Sequence, residues 1–206
     1  SYEEIEQADE GQPSLASPIF ASRMMLPYWN PYREDGSIAS QSDGSWTGIG
    51  QNPIEWMDNN PVKHKKYKIL STVFAEITPI ENLTIRSQFG VDFSHNASSM
   101  KSFPSYILNG GLGTAGRSSY DGMNLTETTT ATYRWKYRQD HDFTFMLGQE
   151  AIDYRYEGFQ VTTTGQTNDL LTNVTSGIRA TSWPETFTSY GFLSFFGRAE
   201  YNYKGL

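Results

Sequence analysis

The chain has 206 residues, a net charge of −7 and no cysteine. Without cysteine, disulfide frameworks, Cys-ligated zinc and thiol catalysis are excluded, and the acidic balance argues against a nucleic-acid partner. Aromatic residues make up 15% of the chain, a composition that suits strands and membrane interfaces. No apolar run approaches the ~20 residues of a spanning helix, a test to which barrel strands, being only half apolar, are indifferent.

The opening Ser1-Tyr2-Glu3-Glu4 lacks the basic start and apolar stretch of a signal peptide. Both ends of the sequence are expected to be cuts in something longer. Residues 1–62 read as a loop region, with Pro13, Pro18, Pro27, Pro31, Pro53 and Pro61 and the turn signals Asp35-Gly36 and Asp43-Gly44. Ser1 to Glu10 is expected to form one or two helical turns. Five strands are expected after that, over 66–78, 83–95, 125–138, 142–156 and 190–204.

Period-two alternation carries the strand assignment. Leu83, Ile85, Phe89, Val91 and Phe93 fall on one face, and Arg86, Gln88 and Asp92 on the other. From Leu125 to Arg138, four threonines and then Arg134, Lys136 and Arg138 share one face. Ala131, Tyr133, Trp135 and Tyr137 share the other. The connections are sorted by length: 78–82 and 139–142 are short, 96–124 and 157–189 are long. Successive antiparallel strands reverse, so one end of the sheet receives short turns and the other long loops. Outer-membrane barrels have that asymmetry, with an apolar outer face and a polar inner one. Tyr133, Trp135, Tyr137, Phe143, Phe145, Tyr201 and Tyr203 all approach the short-turn end on one face, as an interfacial aromatic girdle does. The fold class expected is therefore all-β: antiparallel up-and-down strands of a transmembrane barrel, with a loop region over 1–62 and a partial barrel over 63–206. Cross-strand aromatic pairing in a soluble sheet is the competing account.

Several stretches carry a family resemblance. Asn52-Pro53 with Trp56, a basic run and a strand precede Ile77-Thr78-Pro79-Ile80-Glu81-Asn82-Leu83-Thr84-Ile85-Arg86-Ser87-Gln88-Phe89-Gly90-Val91-Asp92-Phe93. Pro27-Tyr28-Trp29-Asn30-Pro31-Tyr32 with Asp35-Gly36-Ser37 stands before them, and Ser194-Phe195-Phe196-Gly197-Arg198-Ala199-Glu200-Tyr201-Asn202-Tyr203-Lys204 after them. In order and spacing these resemble the SusC/RagA family of TonB-dependent transporters of the Gram-negative outer membrane. The resemblance implies import of glycans or peptides, a SusD-like surface lipoprotein as lid, the TonB complex as energy source, and outer-membrane lipid as surroundings. The family's plug and TonB box have no counterpart here, and five strands cannot close its barrel. An open sheet edge cannot face lipid with its N–H and C=O groups unpaired. The chain is thus expected to be a fragment of a receptor.

Site chemistry is sparse. His64, His95 and His141 have no metal-ligand spacing, and no nucleophile elbow, phosphate loop or zincin motif is present. No catalytic residue, metal or cofactor is assigned, and the chain is expected not to be an enzyme. Arg86, Asp92, Arg134, Lys136 and Arg198 are the expected barrel-lumen residues. Tyr28, Trp29, Tyr32, Tyr106 and Tyr120 are the expected ligand- or partner-binding residues, because aromatics on long loops can stack on sugars or anchor a partner; loop-on-loop packing is the other reading. Lys63, Lys65, Lys66 and Lys68 form a basic cluster at the start of the first expected strand, fit either for phosphates or for solvent. A soluble carbohydrate-binding β-sandwich and a surface adhesin remain alternative functions.

Overall fold

The computed structural model describes residues 2–7, 18–138 and 140–204. The fold is all-β. Among the described residues it has seven strands: β1 (Tyr2–Gln7), β2 (Val62–Ile80), β3 (Leu83–Ser102), β4 (Gly113–Tyr137), β5 (His141–Gln166), β6 (Arg179–Ser182) and β7 (Glu185–Tyr203). All pairings are antiparallel, and β1 to β5 lie in sequence order in one sheet. β7 pairs with β5 from His141 to Phe159 and β6 with Thr162–Thr164, so the two occupy successive lengths of the same side of β5. Pro184, which has no N–H for a ladder, stands in the break between them, and its carbonyl accepts from Gln160 N–H at 3.0 Å. Two short helices, α1 (Pro18–Met24) and α2 (Pro53–Asn59), stand between β1 and β2.

The short turns explain where the strands reverse. Glu81 and Asn82 alone separate the paired Ile80 and Leu83. Asn82 adopts φ 68, in the left-handed region that Asn tolerates better than most side chains. A register shift between Ile77 and Ile80 takes Pro79 out of the regular ladder. Arg138 and Lys204 also adopt positive φ, which ends β4 and β7 just short of the expected strand limits at 138 and 204. The next strand ties each turn down: Arg134 N–H donates to Asn82 O at 2.9 Å and Lys204 N–H to Asp140 O at 2.8 Å.

Two expectations are overturned. The helical turns expected at the start are instead strand β1 over Tyr2–Gln7, which pairs Tyr2 with Tyr67 and Glu4 with Lys65; residues 8–10 lie outside the described residues. The cause is non-local: the free edge of β2 supplies a ladder and a cation that a helix would forgo, and Lys65 Nζ lies 3.1 Å from Glu4 Oε1. The long connections expected over 96–124 and 157–189 are largely strand. β3 continues to Ser102, β4 begins at Gly113, and β5 runs to Gln166. These extensions carry no one-sided apolar alternation because polar groups occupy both of their faces, so the period-two signal is missing while the ladder continues.

Registers place the side chains. Partners opposite each other share a face, so Ile69, Phe93, Met123 and Arg155 align, as do Thr72, Gly90, Thr126 and Ile152. Leu83, Ile85, Phe89, Val91 and Phe93 lie on one face and Arg86, Gln88 and Asp92 on the other, as the alternation predicts. We call these the apolar and polar faces. The apolar face carries Ile69 and Val73 of β2, Leu147 of β5 and Leu193 and Phe195 of β7, all exposed. Among the described residues no second layer covers it.

Candidate functional site

The apolar face is bounded at both ends. At the short-turn end Trp135 stacks on Phe143 at 5.2 Å between ring centroids, Phe143 meets Tyr201 at 4.9 Å, and His141 meets Tyr203 at 5.1 Å. Tyr137 and Phe145 join the same set. At the other end Tyr2 packs on Tyr67, which in turn approaches His95. Beyond that border the same face turns polar at Lys65, His95, Asp121 and Asp153. Both borders run obliquely to the ladder. Leu83, the last residue of this face on β3, pairs with Tyr133, four residues short of Tyr137. Asp121 pairs with Glu157, four residues beyond Asp153. The steps have the same sense but fall one strand pair apart, so the band slants across the sheet and is longest on β4, where it runs from Met123 to Tyr137. On β2, β3 and β7 it spans roughly eleven residues, which is about 37 Å along the strand and about 28 Å at a tilt of about 40°. Within the band Glu127 accepts hydrogen bonds from Thr129, from Ser87 Oγ at 3.4 Å and from Gln149 Nε2 at 3.3 Å, so this polar group is satisfied by its neighbours.

The polar face holds the residues expected to line a lumen. Arg86 lies over the Phe74 ring at 4.1 Å and 3.7 Å from Glu76. Asp92 pairs with Lys68 at 3.0 Å, Lys136 with Asp142 at 3.4 Å, and Arg198 with Glu200 at 3.4 Å. Arg134 shares the face in register with Thr144. The four-lysine cluster divides: Lys63 and Lys65 share a face with Glu4, while Lys66 and Lys68 share the polar face with Asp92.

At the long-connection end, residues 31–60 fold around one side chain. Asn52 is fully buried; its Nδ2 donates to Pro31 O at 2.9 Å and Ala39 O at 2.7 Å, and its Oδ1 caps α2 by accepting from Ile54 N–H at 3.0 Å. An Asn before a helix whose first residue is Pro is a readable cap signal. Trp46 is also buried, with Nε1 donating to Gly50 O at 2.9 Å. Arg33 pairs with Asp43 across the loop. Hydrogen bonds from Ser45 hold the Asp43 carboxyl below its usual range, and those from Ser37 do the same for Asp35.

The five expected binding aromatics do not converge. Tyr28 and Tyr32 are exposed and Trp29 half-buried in the first loop, with Tyr28 and Trp29 in edge contact at 6.1 Å. Tyr106 is 3% exposed and packs edge-on against Trp56 at 6.2 Å. Burial, then the Glu55 carboxylate, pushes its phenol up to about 12. Tyr120 lies within β4 and stacks on Tyr156 at 5.9 Å with planes 6° apart. Around it the structure assembles rings that the loop-centred reading passed over. Tyr154 stacks on Tyr190 at 4.7 Å, and Tyr190 meets Phe192 at 5.3 Å. All five share the polar face, and parity counted back from Tyr201 and Tyr203 would have found the last two. Among the described residues no cluster of His, Asp or Glu could hold a metal, and no helix is long and apolar enough to cross a membrane.

Comparison of the sequence with known families and with curated proteins finds no match. Solved structures do match. The chain superposes on the RagAB peptide importer in its "closed-closed" state with a TM-score of 0.77 and 26% identity over 95% of this chain and 22% of that one. The "open-open" state gives a TM-score of 0.77 and 26% identity over 96% of this chain and 22% of that one. A further RagAB peptide transporter structure gives 0.75 and 26% over 88% and 21%. The chain therefore spans about a fifth of the length of these transporters.

Proposed function

We propose that this chain is part of the barrel of a SusC/RagA-type TonB-dependent transporter of the Gram-negative outer membrane. In this reading the transporter imports glycans or peptides beneath a SusD-like lipoprotein lid and is driven by TonB through parts of the receptor outside this chain. The observation that carries the reading is the slanted apolar band bordered by aromatic rings. Its height of about 28 Å is close to the ~25 Å apolar band of outer-membrane barrels, and its open exposure is what a soluble sandwich would have to cover. The likeness to the RagAB importer supports it.

Residues 63–206 then form the partial barrel wall and 1–62 belong mainly to the extracellular side. Arg86, Asp92, Arg134, Lys136 and Arg198 line the lumen, where self-paired charges favour water and contacts with a plug over selectivity. Tyr28, Trp29 and Tyr32 are available to the lid or solute, Tyr120 faces the mouth, and Tyr106 serves loop packing. The part played is transport, with no catalytic step.

Cysteine scanning in the intact receptor tests this, since the segment itself has no cysteine. Leu147→Cys should resist a membrane-impermeant thiol reagent in whole cells and react with a lipid-soluble maleimide. Thr128→Cys, on the polar face, should accept the impermeant reagent once the receptor is opened. Equal labelling of both sites by the impermeant reagent would sink the membrane reading.

A further inference from the structure

We propose that the apolar-face side of β2, β3 and β4, just beyond the band at the long-connection end, binds the phosphorylated sugar core of an outer-leaflet glycolipid. The inference rests on the transporter reading, in which this face is the outside of the barrel. It concerns the side turned away from the lumen and is independent of the solute carried. The first observation is a hollow of about 720 Å³ on this side. Lys63 and Lys65 of β2, Lys101 of β3 and Arg117 of β4 line it, with Phe103 and Phe159. By alternation the four cations share a face with Ile69, Phe93 and Met123. Three strands thus gather basic groups that are far apart in sequence. A guanidinium binds phosphate oxygens in pairs and an ammonium binds them as a point charge, while an aromatic ring accepts the C–H face of a sugar.

The second observation is charge balance. Glu4 also lines the hollow, and its carboxylate lies 3.1 Å from Lys65 Nζ. Glu6 opposes Lys63 in the β1 ladder. Asp121 meets His95 at 2.6 Å at the border of the band. Asp153 and Glu157 stand on either side of Arg155 along β5, and Glu185 is across β5 from β4. The acids of this face are therefore matched to other bases or displaced towards β5 and β7. Lys101 and Arg117 differ. In register with them on this face are only Ala115, Ser99 and Val161. Lys101 Nζ donates to the neutral Thr172 Oγ1 at 3.0 Å. Arg117 is exposed and has no ion pair or hydrogen bond among the described residues. Two cations on one wall of the hollow await an anion.

The third observation is height, and it selects the lipid. Tyr67, His95 and Asp121 stand in register where the apolar band ends. Lys65 is two residues beyond that line, Lys63 and Arg117 four, and Lys101 six. At about 3.3 Å per residue and a tilt of about 40°, the cations span about 5–15 Å above the hydrocarbon. A phospholipid headgroup layer is only about 5–8 Å deep. A glycolipid whose phosphates are carried on a sugar core reaches the whole span, with Phe103 and Phe159 beside its rings.

The test uses the intact receptor purified in detergent and four probes: rough-type lipopolysaccharide, the same glycolipid chemically dephosphorylated, phosphatidylglycerol and inorganic phosphate. The parent should retain the phosphorylated glycolipid about tenfold or more tightly than the dephosphorylated one. The double variant Lys101→Gln/Arg117→Gln should lose that advantage. Lys66→Gln, on the polar face of β2, should bind like the parent. If the double variant fails to insert, the phosphorylated and dephosphorylated probes compared on the parent read the same contact. Equal retention of those two probes, a double variant that binds like the parent, or an equal loss in Lys66→Gln would each overturn the proposal. So would displacement of the glycolipid by phosphatidylglycerol or inorganic phosphate at equal concentration, which would mean a site for any anion. Heat-modifiable migration of the outer-membrane fraction separates the two failures. An inserted barrel that retains no phosphorylated glycolipid refutes only this site, whereas a parent absent from the outer membrane refutes the transporter reading as well.

Discussion

The loop region between β1 and β2 and the sheet that follows it are built by opposite rules. In the loop, Ala21, Ala39 and Trp46 are buried and a fully buried Asn52 satisfies two carbonyls and one N–H, while Tyr28 and Tyr32 stay exposed. Charged Arg33, Asp35 and Asp43 stand outside and make local bonds. In the sheet the largest apolar side chains are outside, with Leu147 72% and Phe195 74% exposed. The same chain cannot obey both rules in one solvent. Water accounts for the loop; an uncovered apolar face of this size is rare on a protein bathed in water, and the proposed barrel is what would set the band against hydrocarbon.

The sharpest way to break this contrast is a charge in the band. Leu147→Lys, at the middle of the β5 stretch, should cost about 2–4 kcal/mol of folding stability in lipid vesicles, the range for a basic residue at the bilayer midplane. Thr128→Lys on the polar face, opposite Glu150, should change stability by less than about 0.5 kcal/mol. Urea unfolding of the vesicle-inserted receptor measures both. Equal costs would mean that the two faces meet the same solvent.

The parts legible in the sequence are those in which one face differs from the other. Leu83 to Phe93 and Leu125 to Tyr137 are readable because apolar-face and polar-face positions alternate there. The same strands became illegible above the band, at Ser94–Ser102 and Gly113–Asn124, because polar residues on both faces erase the alternation while the ladder persists. β1 was illegible for another reason: its six residues are strand only because β2 offers an edge and Lys65 a partner, neither visible locally. The rings sit on strands, where aromatics look like ordinary face residues. Tyr120, expected on a connection, lies mid-strand. Its neighbours Tyr154, Tyr156 and Tyr190 were readable by parity, but their contacts required the β4–β5 and β5–β7 registers. Tyr106 was readable as an aromatic on a connection, and its burial against Trp56 depends on α2, far away in sequence.

The contrast sharpens if the loop can be opened without touching the band. Asn52→Ala removes the cap of α2 and orphans the Ala39 carbonyl, while the Pro31 carbonyl keeps the Ala39 N–H. An orphaned buried acceptor and a lost cap each cost of order 1–2 kcal/mol, so a local loss of about 2–3 kcal/mol is expected. Hydrogen exchange over 31–60 should rise accordingly, while heat-modifiable migration of the barrel stays as in the parent. A variant whose barrel also fails to insert would show that loop and sheet fold as one unit, and the division drawn here would be lost.

The smallest expected effect concerns Tyr106, and its sign separates packing from binding. The side chain is buried, and its hydroxyl has no hydrogen-bond partner among the described residues. Removing an unsatisfied hydroxyl relieves a desolvation cost, so Tyr106→Phe should stabilise the loop by about 1 kcal/mol and leave solute and lid binding unchanged. The pH dependence follows from the raised phenol. Its value moves from 10.0 to about 12 because burial, and then the Glu55 carboxylate, disfavour the phenolate. Below pH 10 the folded and unfolded forms both keep the proton, so this group adds no slope. Above it the unfolded form releases a proton that the folded form retains, and linkage makes loop stability fall as pH rises until about 12. Titrating the phenolate absorbance of the parent against Tyr106→Phe isolates this group, and the fluorescence of Trp46 and Trp56 reports the loop. The parent should show one tyrosine ionising late, with a fluorescence change that the Phe variant lacks. If instead Tyr106 ionises at its ordinary value and the Phe variant loses solute or lid affinity, the phenol is presented to a ligand. The loop would then not be the water-ordered core that the contrast with the sheet requires.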